Sequence, residues 1–413
     1  MLSAYRVLDL TTERGLLCGQ ILGDLGADVI KIEPPGGSPA RRLGPFYQDQ
    51  PHPDRSLLWW AYNRNKRSVT LDITKHEGKE LLRRLVATAH FLIESDNPGA
   101  MTQLGLGYED LAAINPGLIY VSISAFGQDG PKAHYADSDL VILAAGGPLI
   151  LYGDSDRAPL RLSVPQAYLH ACLEGAVAAL LANHERHRSG LGQHIDVSAQ
   201  QAVALATQAY ILAAPYGEAE IQRMAGGVKI GPLNIRLLWP AKDGYVAITY
   251  LFGTAFGHFT KRLMDWIYEE GLCDENTHNM DWVRFGGELF AGGAAIATFE
   301  RLKLIVEDFT KTKTKAELLQ GALQRTLLIA PISTIDEVVN SPQLTARNYW
   351  QEMTHPELGQ TFRYPGPFVK FSETPITYRC RPPLVGEHNR EIYVDELGLT
   401  EQRVMDLQSK GVI

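Results

Sequence analysis

Two clusters of cations could do chemistry together: Arg41-Arg42, and Arg64 with Lys66 and Arg67. Grouped guanidinium and ammonium donors hold phosphate well, and phosphorylated ligands commonly sit in loops that follow strands of one sheet. Both clusters are expected to follow such strands, which points to the phosphates of a cofactor tail. For either cluster alone a solvated loop is the favoured reading. His134, His170, His184, His187 and His194 have no companions at metal-ligand spacing. His184 and His187 stand beside Glu185, Arg186 and Arg188, the composition of a solvated helix end. Cys18, Cys172, Cys273 and Cys380 are far apart and form no CxxC pair, so neither a zinc site nor a disulfide framework is expected. No metal is expected.

The elements that must position these groups alternate along the first third. Residues 7–10 form a short β-type run, a turn follows near 11–15, and an apolar segment at 16–25 stops at Gly26 as a helix does. Residues 28–33 form a second strand, ended by Pro34-Pro35-Gly36-Gly37. Residues 67–72 alternate as a strand, and Leu81, Leu82, Leu85 and Val86 mark one helical face. Stretches 91–93 and 118–124 complete a strand–helix–strand rhythm, which predicts an α/β layer with a mainly parallel, Rossmann-like sheet. Glu33 ends the second strand as in a dinucleotide site, but the first loop lacks G-x-G-x-x-G. A nicotinamide cofactor is therefore disfavoured, and Glu33 is taken as an ordinary strand-end acid.

Residues 168–188 predict a long helix, with Leu169, Cys172, Leu173, Ala176, Val177, Leu180 and Leu181 on its buried side. Gly190-Leu191-Gly192-Gln193 ends it, and another helix begins near Ser198. From Met224 the composition shifts to glycine-rich turns, a strand pair around Asp243-Gly244 and aromatic-rich helices. The expected organisation is a large domain from residues 1–200, a linker at 201–224, a small domain at 225–328 and a return to the large domain at 329–413.

Composition limits the function. The chain has 413 residues, 45% hydrophobic and 21% charged, so it can bury a large core. With 47 acidic against 39 basic residues, a net of −8, a sequence-independent grip on nucleic acid is not expected. The start shows no signal-peptide pattern, and the longest apolar run, 141–152, is broken by Gly146, Gly147 and Pro148. No membrane partner is expected, and the cytoplasm is the expected location.

Motifs are spaced along nearly the whole chain: Leu22-Gly23-Asp24-Leu25-Gly26-Ala27-Asp28-Val29-Ile30-Lys31-Ile32-Glu33, Asn63-Arg64-Asn65-Lys66-Arg67-Ser68 and Asn97-Pro98-Gly99-Ala100. Ser124-Ala125-Phe126-Gly127, Gly190-Leu191-Gly192-Gln193, Ser341-Pro342-Gln343-Leu344 and Gly386-Glu387-His388 continue the series in order. Together they resemble the motifs of the family III CoA-transferases, which include formyl-CoA, carnitine-CoA and benzylsuccinate-CoA transferases. The resemblance implies a Rossmann-like large domain built from both chain ends, a small inserted α+β domain, and dimers interlocked like chain links. It implies no permanently bound cofactor; a coenzyme A thioester is substrate. The reaction moves CoA from an acyl-CoA to a carboxylic acid through an aspartate that forms an anhydride and then an enzyme thioester.

Counting back from Gln193 to the start of the long helix, where the family keeps that aspartate, reaches Gln166; no Asp or Glu stands between Asp156 and Glu174. An amide cannot form an anhydride and regenerate. Gln103 stands where active members often carry an arginine facing CoA phosphates, and Ser138 where the family's racemases carry a histidine. By resemblance, a degenerate CoA pocket would comprise Arg41, Arg42, Leu71, Ser95, Asp96, Gln103, Lys132 and Gln166. Gly226 and Gly227, with Gly231, would form the loop covering the thioester and could offer oxyanion donors; a plain turn is the alternative.

Three readings follow. The chain is the non-catalytic subunit of a heteromeric CoA-transferase, like that of succinyl-CoA:benzylsuccinate CoA-transferase, whose homologous partner carries the aspartate. Alternatively it is a homodimeric CoA-binding pseudoenzyme, or an active enzyme with another nucleophile, for which Asp154 and Asp156 are the nearby candidates.

Overall fold

Strands buried on both faces need apolar side chains on each, and Val7-Leu8, Phe91-Leu92-Ile93 and Ile119-Tyr120-Val121 supply them at the centre of the sheet. The computed structural model describes residues 1–216, 223–230 and 233–413. Its main sheet contains β1 (Arg6–Asp9), β2 (Asp28–Glu33), β3 (Lys66–Thr70), β4 (Phe91–Glu94), β5 (Ile119–Ser124) and β6 (His194–Ser198). The strand order is β3-β2-β1-β4-β5-β6, and every pairing is parallel. That is the doubly wound order, in which the strand sequence reverses between β1 and β4 and opens a crevice at the carboxyl ends.

The chain forms two compact units. The first comprises Met1–Pro148, Leu162–Gln208 and Gln343–Ile413, and holds the six-stranded sheet. The second comprises Leu149–Arg161 and Ala209–Pro342. Its three-stranded antiparallel sheet, β9 (Leu238–Ala241), β10 (Gly244–Ile248) and β11 (Ile329–Pro331), packs with helices around buried Trp239, Tyr250, Trp266, Phe299 and Phe309. A hairpin of β7 (Gly227–Ile230) and β8 (Leu233–Arg236) completes that unit among the described residues.

The long helix, Ala167–Ser189, ends at Gly190 in the left-handed conformation (φ 77°). Its buried face corrects the expectation. Ala167, Ala171, Cys172, Gly175, Ala176, Ala179 and Ala182 are buried, whereas Leu173, Val177 and Leu181 are 50%, 54% and 66% exposed in the single chain. The small face wins because the helix approaches its neighbours closely. A Cβ on Gly175 would lie 3.4 Å from Cys18 Sγ and 3.5 Å from Ile123 Cδ1.

The carboxyl end of β1 carries a fully buried ion cluster. Asp9 Oδ1 accepts from Lys31 Nζ at 3.1 Å, and Asp9 Oδ2 accepts from Lys66 Nζ at 2.8 Å. Two ammonium groups share one carboxylate, so neutral acceptors complete the set. Lys66 also donates to Leu16 O at 2.8 Å and Asn63 Oδ1 at 3.0 Å, and Lys31 donates to Thr11 O. Burial alone would raise the Asp9 carboxyl, but both lysines and hydrogen bonds from Lys66 and Thr11 hold it well below the usual carboxylate range. Gly19 makes room, since a Cβ there would stand 2.3 Å from Asp9 Oδ2.

Removing the carboxylate charge leaves two ammonium groups buried without a counter-ion. Asp9→Asn should cost about 3–5 kcal/mol, the range for breaking a buried pair from one side. Urea unfolding followed by circular dichroism measures it, and a change under about 1 kcal/mol would contradict this assignment.

Candidate functional site

The crevice beside the long helix is built from loops that β1 and β4 deliver, and from the helix start itself. Gln166 is the residue immediately before that helix, half-buried, with φ −121° and ψ −36°. Its N–H and that of Ala167 both donate to Asp139 Oδ1, at 2.6 and 2.8 Å. Asp139 opens the short helix Asp139–Ala145, itself capped by the Ser138 hydroxyl at Val141 N–H. One carboxylate therefore faces the positive end of the long helix while sitting in the first turn of another. The second Asp139 oxygen is buried without a hydrogen-bond partner among the described residues.

Against these groups lies a cavity of about 340 Å³ within the first unit. Its polar wall is Arg14, Asp137 and Asp139; Leu17, Leu43, Leu58, Tyr62, Val164 and Leu169 contribute to its apolar wall. Arg14 pairs with Asp137 at 3.0 Å and donates to Asn97 Oδ1 at 3.2 Å, while the Tyr168 hydroxyl donates to Asp137 at 2.8 Å. Arg14, Asp137 and Tyr168 were not among the residues expected at the site. Ser138-Asp139 before an apolar run signals a helix start in sequence, yet nothing local announces that Asp139 caps a second helix.

The expected pocket residues fall into several environments. Arg41 is 1% exposed: it makes a two-pronged pair with Glu33 (2.6 and 2.8 Å), pairs with Asp54 at 2.8 Å and lies 3.8 Å from the Trp59 ring centroid. Neither a solvated loop nor a ligand-facing arginine describes it, and Glu33 is a buried ion-pair partner. Lys66 and Arg67 belong to β3 rather than to a loop after a strand, and Arg64 pairs with Asp24 at 2.7 Å. Leu71 is buried in the core. Arg42, Gln103 and Lys132 are exposed. Ser95 and Asp96 follow β4 and are not among the residues lining that cavity: Ser95 Oγ accepts from Thr12 N–H at 2.9 Å, and Asp96 N–H donates to Glu94 at 2.7 Å.

In the second unit, Gly226 is left-handed (φ 69°), and its carbonyl accepts from Leu237 and Leu238 at 2.8 and 2.9 Å. A Cβ on Gly227 would lie 2.3 Å from Ile235 O, so that glycine lets the β7–β8 hairpin close. A bulky substitution there would test the hairpin rather than an oxyanion role. Gly231 lies outside the described residues. Asp154 holds the turn it belongs to, accepting from Ala225 N–H at 3.0 Å and from Arg157.

Glu94 ends β4 beneath the loop 95–97 and is 4% exposed. Burial pushes its carboxyl up to about 7, partly offset by the Ser122 hydroxyl and the Asp96 N–H. Ser122 Oγ also bonds His194 Nε2 at 2.9 Å. Because the folded value lies above the ordinary 4.5, the fold favours the protonated acid, and stability falls as pH rises from 4.5 through about 7. Glu94→Gln should remove that fall, on the order of 2–3 kcal/mol across the window. Urea unfolding of both proteins at pH 5 and pH 8 checks it; an equal pH dependence in the variant would refute the role.

Comparison with known proteins agrees with this architecture. A sequence model described as CoA-transferase family III matches residues 2–389. The chain is 33% identical over 413 residues to the BbsE subunit of succinyl-CoA:(R)-benzylsuccinate CoA-transferase from Thauera aromatica, covering 100% of this chain and 98% of that one. It is 30% identical over 418 residues to the beta subunit of succinyl-CoA–L-malate CoA-transferase from Chloroflexus aurantiacus, covering 100% and 98%. The crystal structure of a CAIB/BAIF family protein from Brucella suis superposes with a TM-score of 0.79 at 32% identity, covering 95% of this chain and 98% of that one. With a family match across most of its length and relatives aligned end to end, the chain belongs to CoA-transferase family III.

Proposed function

We propose that this chain is the non-catalytic subunit of a heteromeric family III CoA-transferase, cytoplasmic, whose homologous partner supplies the aspartate nucleophile. The observation that carries the reading is Gln166 at the head of the long helix, with no Asp or Glu between Asp156 and Glu174. The reaction needs a carboxylate that attacks the thioester carbonyl and expels CoA thiolate, giving a mixed anhydride. The thiolate then attacks the enzyme carbonyl, releasing the first acid and leaving an enzyme thioester. The acceptor acid reverses both steps. Gln166 has no anionic oxygen to begin this sequence.

Two relatives named as subunits of CoA-transferases, from Thauera and Chloroflexus, support the heteromeric reading. By analogy the donor is succinyl-CoA and the acceptor benzylsuccinate or a similar acid. The two homologous chains would interlock as a dimer, each with a large domain from both chain ends and a small inserted domain. Asp154 is a poor substitute nucleophile, since its carboxylate is held by Ala225 N–H and Arg157.

A tagged chain purified from its own host should carry an equimolar second subunit of similar length with an aspartate at the position equivalent to 166. A native mass corresponding to this chain alone, active in CoA transfer, would reject the reading. Gln166→Asp in the lone chain should not restore full transfer. Gln103 and the basic loop also depart from the active members that the chain resembles, so the nucleophile alone is not enough. Transfer at the rate of the complete complex would show that only the nucleophile had been lost.

A further inference from the structure

We infer that the cleft at the amino ends of β1, β4 and β5 binds a phosphate group, as the free ion or as the end of a small phosphorylated metabolite. It lies within the first unit, at the end of the sheet opposite the crevice, and has a volume of about 390 Å³. Tyr5 precedes β1, His90 precedes β4 and Gly117 stands just before β5; Arg186 and His187, from the last turn of the long helix, complete the lining. Gln166 and Arg186 are about 30 Å apart along that helix, and the cleft shares no lining residue with the cavity beside position 166.

Charge sets the class of ligand. No Asp or Glu lines the cleft among the described residues. Arg186 donates to His90 O at 2.9 Å, to Gly117 O at 3.0 Å and to Asn183 Oδ1, and it also bonds the Tyr5 hydroxyl. All of these partners are neutral, and the neighbouring Glu185 is taken by Arg188 at 2.7 Å. A half-buried guanidinium without a carboxylate favours a ligand that brings its own negative charge. The carbonyls that would draw a cation here are answered from within the protein. Asn115 Nδ2 donates to Val86 O at 2.9 Å and to Ala89 O at 2.7 Å, and the Thr88 hydroxyl donates to Leu85 O at 3.0 Å.

Two histidines add donors. His90 Nδ1 accepts from Arg6 N–H at 3.0 Å, which places the ring proton on Nε2. The Tyr5 hydroxyl lies 2.7 Å from His187 Nε2. Arg186 can only donate, so the Tyr5 oxygen accepts from it and sends its own proton to His187 Nε2, leaving the His187 ring proton on Nδ1. Burial, Arg186 and Arg6 together hold the His90 ring below the ordinary imidazole range with no acid to offset them, and Arg6 is itself paired with Asp28 and Glu396. The donors reach the cleft from separate stretches of chain. A tetrahedral oxyanion presents an oxygen to each, whereas a carboxylate presents its two in one plane. The helix end at 184–188 that composition marks as solvated is thus tied to Tyr5 and set beside His90 by the sheet.

The test is calorimetric titration of the purified protein, with whatever subunits accompany it, using inorganic phosphate, glycerol 3-phosphate and acetate in a chloride buffer. Phosphate should bind about tenfold or more tightly than acetate. His187→Ala, at an exposed residue, should weaken phosphate binding about tenfold, the worth of one hydrogen bond to a charged group. Arg186→Gln, which keeps N–H donors for the two carbonyls, should remove it. Circular dichroism checks that each variant is folded. Tighter binding of glycerol 3-phosphate than of phosphate would identify a metabolite as the ligand, and equal binding would show that the phosphate group alone is read; either supports the inference. Acetate binding as tight as phosphate, no phosphate binding, or phosphate binding that a folded variant leaves unchanged would overturn it.

Discussion

Placing one carboxylate between two ammonium groups in a dry interior is costly unless every remaining donor finds an oxygen. The Asp9–Lys31–Lys66 cluster meets that demand with backbone carbonyls, and so dictates the local path of the chain. Lys31 reaches the carbonyls of Asp9 and Thr11; Lys66 reaches Leu16 O. These bonds tie β1, β2 and β3 to the start of the helix Leu16–Asp24, and fix the loop between Thr11 and Gly15. The residues are part of the frame, since all three charged side chains are fully buried. Their effect on chemistry is indirect: the loop they hold carries Arg14.

From Arg14 the constraint passes outward through Asp137 to Tyr168, on the first turn of the long helix, and Asp139 anchors the same turn at its N–H groups. The start of that helix is thus held by two aspartates from one short segment. Covalent chemistry at the head of a helix needs such fixation, since a nucleophile must be aimed at its carbonyl within a fraction of an ångström. Here the scaffold is complete while the residue it presents is an amide. That contrast fits the proposed role as a non-catalytic subunit, with the covalent step carried by its partner.

Much of the sheet was legible in the sequence because buried parallel strands are short, mostly apolar runs bounded by turn residues, as at Phe91–Glu94 and Ile119–Ser124. The helix His76–Val86 likewise buries the face formed by Leu81, Leu82, Leu85 and Val86. The long helix misled for a physical reason: hydrophobicity counts leucine above alanine, but close packing favours the smaller side chain, so Leu173 and Val177 point outward. The basic residues misled because charge in a sequence does not announce its partner. Arg41 and Lys66 find Glu33 and Asp9, which are far from them in the chain and adjacent only once the sheet forms. The site's polar wall was hidden in the same way. That Gln166 stands at the head of the long helix was legible, because the glycine turn that ends the helix at Gly190 sets how far back it runs.

Locating the covalent intermediate tests the central claim most directly. The complex purified from its host would be incubated with its acyl-CoA donor, the enzyme thioester reduced with borohydride, and the reduced residue located by peptide mass. The account predicts one modified aspartate, on the partner subunit, and an unmodified form of this chain. A reduced carboxylate at Asp139, Asp154 or Asp156 of this chain would contradict it, because a nucleophile would then be present where Gln166 says there is none.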